Sequence, residues 1–215
     1  MNRPMLAAAV LALAAIAACS MPTPDRSNPL TGGGGDVFEE APSFEAATTE
    51  GEGDGVVELP AGATQAIVTA SHDGEHYFSI SALDESNADA GQLVNAIGSY
   101  AGSTLLGASQ TGEPVRLEVT ADGAWTITVA PIADAAALPE GGTGDGVYRY
   151  DGDAGTWAVV HSGEHYFQLA YYTDAALSLS ILANEVGAYD GSVAVTDGPA
   201  LVVVQADGDW TITPA

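Results

Sequence analysis

The stretch ADGAWTIT at Ala121–Thr128 returns as ADGDWTIT at Ala206–Thr213, and its alternation decides the fold. In the first copy Trp125, Ile127 and Val129 occupy every second position, with Thr126, Thr128 and Ala130 between them. In the second, Trp210 and Ile212 alternate with Thr211 and Thr213. A period of two sends the apolar set to one face of a strand and the threonines to the other, so both tryptophans are expected in a core. Just upstream, Val115, Leu117 and Val119 alternate with Arg116, Glu118 and Thr120. The intervening Asp122-Gly123 reads as a two-residue hairpin turn.

The duplication extends outward from this pair. GDGV at Gly53–Val56 recurs at Gly144–Val147, HDGEHYF at His72–Phe78 as HSGEHYF at His161–Phe167, and SYAGS at Ser99–Ser103 as AYDGS at Ala188–Ser192. With the tryptophan segment last, the offsets are 91, 89, 89 and 85 residues. Preserved order with small drift indicates one unit built twice, with short insertions in loops. The units span residues 53–131 and 144–215, each long enough for a small core of its own. Residues 132–143, within PIADAAALPEGGTG, read as the linker between them.

Further strand-like runs in the first unit are Val56–Leu59, Ala66–Ala70, His76–Leu83, Leu93–Ile97 and Ser103–Leu106. Their counterparts are Val147–Tyr150, Thr156–Val160, His165–Tyr172, Leu177–Leu182, Ser192–Val195 and Ala200–Val204. Short strands spaced by Gly, Asp and Pro turns, without an amphipathic helix to form crossovers, predict an all-β chain of two tandem antiparallel β-sandwich domains.

The N-terminus, MNRPMLAAAVLALAAIAACS, has one positive charge at Arg3 and an apolar run ending in small residues before Cys19, the single cysteine. That is a secretory signal over residues 1–18, too short to span a bilayer comfortably. Ile16-Ala17-Ala18-Cys19 resembles the bacterial lipobox. The resemblance implies that Cys19 is lipidated and becomes the new N-terminus, placing the mature chain outside the cytoplasm and anchored to the membrane. Residues 19–52, rich in Gly, Pro, Thr and acids, read as a flexible tether in which Val37, Phe38 and Phe44 are exposed.

The chain has 29 acidic residues against four basic ones and no lysine. Without Arg3 the mature chain has 29 acids against three bases, a formal charge of −26. Nucleic acid is excluded as a partner, because phosphate binding needs clustered Lys and Arg. Absence of lysine removes the P-loop lysine, Schiff base and Ser-Lys dyad, and no G-x-S-x-G elbow occurs. No cofactor is expected. Cations, cationic partners and a saline setting are what so acidic a surface suits.

The paired HxGEHYF segments raise a metal reading. His72, Glu75 and His76, with His161, Glu164 and His165, surround a turn where two imidazoles and a carboxylate supply part of a zinc set. Asp151 and Asp153 in DGDAG suit calcium, although the full EF-hand pattern is absent. Against this, a duplicated turn is expected of any tandem fold, and the histidines read first as solvent-facing or half-buried turn residues. Tyr77 and Phe78 face opposite sides of one strand, as do Tyr166 and Phe167, so Tyr77, Tyr166 and Tyr171 are candidate glycan contacts.

Taken together, HDG with an aromatic strand, N-x-I-G-x-Y-x-G-S and ADG-x-WTI resemble a module of secreted and lipid-anchored actinobacterial proteins. The matching residues are His72-Asp73-Gly74, Phe78, Asn95, Ile97-Gly98, Tyr100, Gly102-Ser103 and Ala121–Ile127. The second copy keeps Asn184 but has Ser162 for Asp and Glu185-Val186-Gly187 for Ala-Ile-Gly. The resemblance covers most of residues 53–215 and implies no activity. The expectation is therefore a noncatalytic binding or envelope-structural protein, with an envelope glycan or a protein as partner. A cation- or glycan-binding surface is the alternative. A small secreted hydrolase is the second alternative, needing a pocket lined by two carboxylates or by a histidine with a nucleophile.

Overall fold

The computed structural model describes residues 36–214. The expected signal segment, Cys19 and the first part of the expected tether lie outside these residues. The first repeat comprises β1 (Ala47–Glu52), β2 (Gly55–Glu58), β3 (Ala66–His72), β4 (Tyr77–Leu83), β5 (Asp89–Ile97), β6 (Tyr100–Leu106), β7 (Arg116–Thr120) and β8 (Ala124–Ala130). A 3-10 turn at Ile132–Asp134 and β9 (Ala136–Ala137) follow. The second repeat comprises β10 (Gly141–Thr143), β11 (Gly146–Tyr150), β12 (Gly155–His161), β13 (Tyr166–Tyr172), β14 (Ser180–Val186), β15 (Tyr189–Val195), β16 (Ala200–Ala206) and β17 (Asp209–Pro214).

The first repeat has sheets ordered β1-β8-β3-β6 and β2-β7-β4-β5, and the second has β10-β17-β12-β15 and β14-β13-β16-β11-β9. Apart from β9, which pairs parallel to β11, the second repeat copies the first strand for strand. Eight strands ordered 1-8-3-6 against 2-7-4-5 have the connectivity of a jelly roll. The all-β expectation of two tandem antiparallel sandwiches therefore holds, and this connectivity refines it.

The connectivity overturns the hairpin reading of Asp122-Gly123 and defines the turn at Asp73-Gly74. β3 and β4 lie in different sheets, as do β7 and β8, so Asp73-Gly74 and Asp122-Gly123 form arches between sheets rather than hairpins. Turn residues permit a local reversal, but distant pairing decides which sheet the next strand joins. Among consecutive strands, hairpins form only between β4 and β5 and between β13 and β14. The β4–β5 loop is closed by Asp84, whose carboxylate accepts the N–H groups of Ser86 and Ala88. The strand read at Leu177–Leu182 instead begins at Ser180, because Leu177 adopts φ 51° and is buried.

Each sandwich has its own core. The first is built on Phe78, Ile80, Leu106, Leu117, Trp125 and Ile127, the second on Trp157, Val159, Phe167, Leu169, Val202, Val204, Trp210 and Ile212. A third core joins them. Ile67 and Leu105 of the first repeat pack with Val147, Ala170, Tyr172, Leu177, Leu201 and Val203 of the second, around Val37 and Ile132. This joint explains why β16 reads ALVVVQA, with its first five residues all buried. One face of that strand fills the second sandwich while the other meets the first repeat.

The domain boundaries change accordingly. Residues 36–52 are not tether. Val37 is fully buried in the joint, Phe38 packs beneath the Arg149 guanidinium at 4.1 Å, and Phe44 packs on the first core. β1 pairs with β8 from Ala47↔Val129 to Glu52↔Ala124. The expected linker at 132–143 carries the 3-10 turn, β9 and β10, and β10 pairs with β17 as β1 pairs with β8. Gly51 and Gly142 lie on the rings of Trp125 and Trp210, so close that a Cβ at either position would overlap the indole. A flat tryptophan thus fixes the glycine on each of these edge strands.

Candidate functional site

The histidine motifs answer first to folding. β3 carries His72 into the interior, where its ring stacks on Phe78 with centroids 4.4 Å apart and 6° between planes. Nδ1 donates to the Gly98 carbonyl at 3.1 Å, and since a carbonyl only accepts, this nitrogen bears the proton. Gly98, at φ 85°, returns its N–H to the His76 carbonyl at 2.6 Å. Asp122 accepts from the N–H groups of Glu75 and His76 at 3.2 and 3.1 Å and from His76 Nδ1 at 2.7 Å. Three loops at one end of the sandwich are thereby knotted through one buried imidazole and one carboxylate.

The second repeat ties the same knot. His161 stacks on Phe167 at 4.6 Å and 11°, its Nδ1 reaches the Gly187 carbonyl at 3.0 Å, and Asp207 accepts from Glu164 N–H, His165 N–H and His165 Nδ1 at 3.0, 2.9 and 2.9 Å. In both copies the buried Nε2 lies 3.4 Å from the carboxylate and forms no hydrogen bond. The His76 hydrogen bond holds the Asp122 carboxyl below its ordinary range. At Asp207, burial pushes upward, but the His165 bond and the backbone N–H groups outweigh it.

These contacts correct the metal reading. His72 and His161 are fully buried rather than solvent-facing or half-buried, because each ends the inward-facing set of its strand, β3 or β12. Glu75 and Glu164 contribute backbone N–H groups to the knots, while His76 and His165 stay exposed beside their aspartates. Asp151 is gripped by Arg149 Nε at 2.8 Å, and Asp153 presents its carbonyl to the Tyr150 hydroxyl. Among the described residues, no three His, Cys, Asp or Glu side chains are placed to hold a metal ion. The glycan candidates divide. Tyr77 and Tyr166 are 44% and 42% exposed, whereas Tyr171 is 3% exposed, inside the second core, with its hydroxyl on the Thr196 carbonyl.

A cleft of about 740 Å³ lies between the repeats. One wall is Gln92–Ile97 of β5 with Ser99 and Tyr100, and the other is His165, Tyr166 and Gln205–Asp207 with Asp145 at the seam. Asp145 joins the walls, accepting from the Tyr100 hydroxyl at 2.9 Å and from Ala206 N–H at 3.0 Å. In the first repeat Asp54 makes the equivalent bond to Ala121 N–H. Burial pushes the Asp145 carboxyl up, against the pull of its two donors. Burial and the adjoining carboxylate hold the Tyr100 phenol far above its ordinary range.

Several of these residues escaped the reading of sequence. Asp122 and Asp207 stand in the repeated ADG-x-WTIT segment, so the joint duplication of that segment and HxGEHYF was a usable signal for the knot. Tyr100 and Asp145 meet across the repeats, and no local pattern marks that contact. In comparisons with known proteins, no family model matches this chain and no curated protein matches it.

Proposed function

We propose that the chain is a lipid-anchored extracytoplasmic protein with a noncatalytic binding role, and that the surface it offers is the cleft between the repeats. The observation that carries this reading is the cleft's composition. Gln92, Asn95 and Gln205, Tyr166 and the acids Asp145 and Asp207 line a concavity in the size range of ligand pockets, about 300–1,000 Å³. Two carboxylates in one cleft are also what glycoside hydrolysis needs. Here Asp207 accepts from three N–H groups and Asp145 from a phenol and an N–H, so both hold the fold together. Binding is the better reading.

The anchor and the binding role are tested separately. Fractionation of cells expressing the full chain or its Cys19→Ser variant, with the mass of the N-terminal peptide, should show lipid on Cys19 and release of the variant. A variant that stays in the membrane fraction removes the anchor from the proposal. Hydrogen exchange with and without soluble envelope fractions should slow over residues 92–97 and 205–207. Unchanged exchange with every fraction removes the binding role.

A further inference from the structure

We infer that the cleft takes an extended basic peptide, added as a strand along the open edge of β5; the inference rests on the binding role proposed above and names its ligand class. β5 ends the sheet β2-β7-β4-β5. Residues 92 to 97 line the cleft as one unbroken run. Successive side chains of a strand point to opposite faces, and the edge alone is common to both, so an unbroken run shows that the backbone edge faces the cleft. Leu93, bulged out of the ladder with β4, and Val94 both bury their side chains in the first core while the residues still line the wall.

That edge has open valences. Beyond the ladder with β4, the hydrogen bonds of β5 backbone groups among the described residues are those of Ala90 and Gly91, at the strand's start. An unpaired edge is a template for another strand, and main-chain pairing at a sheet edge is a recurring mode of peptide capture. A bulge at Leu93 interrupts the ladder with β4, so the regular edge is Val94–Ile97, about 13 Å long.

The opposite wall sets the ligand's charge. The lining has Asp145 and Asp207, the latter bonded to His165 at 2.9 Å, and neither lysine nor arginine, within a chain of formal charge −25. Tyr166, 42% exposed, lines the cleft, and an aromatic ring face attracts ammonium or guanidinium groups. Burial already pushes the Asp145 carboxyl up, and a nearby cation would favour its charged form. Sugars can also stack on tyrosine, but they cannot continue the backbone ladder at Val94–Ile97.

The test is hydrogen exchange on the full chain with three peptides about a dozen residues long. One alternates lysine and threonine, one alternates glutamate and threonine, and one repeats the first with every second backbone nitrogen methylated. The first should slow exchange at the outward amides of Gln92–Ile97 by at least about tenfold, and the other two should leave it unchanged. Equal protection by the methylated peptide would show charge attraction without strand pairing, overturning the inference. If no peptide acts but a chito-oligosaccharide slows exchange around Tyr166, the ligand class is wrong and the binding role survives. If neither acts and no envelope fraction does, both fall.

Discussion

The Tyr100 hydroxyl donates to the Asp145 carboxylate across 2.9 Å, so an aromatic residue of the first repeat is bonded to the acid that opens the second. Asp145→Ala leaves that hydroxyl and the Ala206 N–H without an acceptor, at a cost of about 1–3 kcal/mol for each. Asp145→Asn keeps an acceptor oxygen and should cost less. Urea unfolding of the three proteins ranks them, and an alanine variant as stable as the parent would dismiss the bond as a stabilising contact.

The glycines on the tryptophans make a steric prediction. Gly51→Ala and Gly142→Ala each drive a methyl into an indole ring and should destabilise by about 1–3 kcal/mol. Gly155→Ala is the control. No atom lies within 4 Å of its added Cβ, so its effect should stay within about 0.5 kcal/mol. Thermal midpoints of all three decide.

Acid should untie the knots. Asp122 and Asp207 have carboxyls depressed in the folded chain, so their contribution is complete above the ordinary aspartate range near 3.9 and is lost as pH falls through the depressed values. Asp145 has the opposite sign, since its raised carboxyl favours the fold on protonation and so opposes the loss over a higher window. Urea midpoints measured from pH 7 down to about 2 should therefore fall less steeply for the double variant Asp122→Asn, Asp207→Asn, which starts from a lower stability. A parallel profile for parent and variant would separate acid sensitivity from these residues.

A chain beginning at Gly53 lacks β1 and Val37, whereas one beginning at Asp36 keeps both. The shorter chain should unfold at lower temperature, and Val37→Ala in the longer one should cost about 1.5–3 kcal/mol if its burial is lost. The longer chain should unfold in one calorimetric transition, because the third core couples the repeats. Two resolved transitions would show that the joint is too weak to couple them.

The legible parts of the fold were those with a strong local period. Trp125, Ile127 and Val129 revealed β8, and repetition revealed its copy. β1, with the sequence ATTEGE, was not legible, because an edge strand of threonine, glutamate and glycine has no apolar face to betray it. Tyr171 looked like surface because tyrosine tolerates either side, and only the second core's demand for filling placed it inside. The arches at Asp73-Gly74 and Asp122-Gly123 carried a true signal of reversal. Its meaning depended on strand pairs tens of residues away, which no local window contains.

Val37 gives the joint a mechanical meaning. It is the first apolar residue of the described chain, and it is wedged where the two sandwiches meet. Tension applied to the chain ahead of Asp36 would therefore act on this wedge before it reached the ladder of β1 and β8. The first events under load would be loss of the Asp36–Asp174 bridge and the drawing of Val37, which loosens the joint while both jelly rolls remain whole. Such a protein would yield by hinging at its waist, and the cleft bordering that waist would change width before either repeat lost a strand.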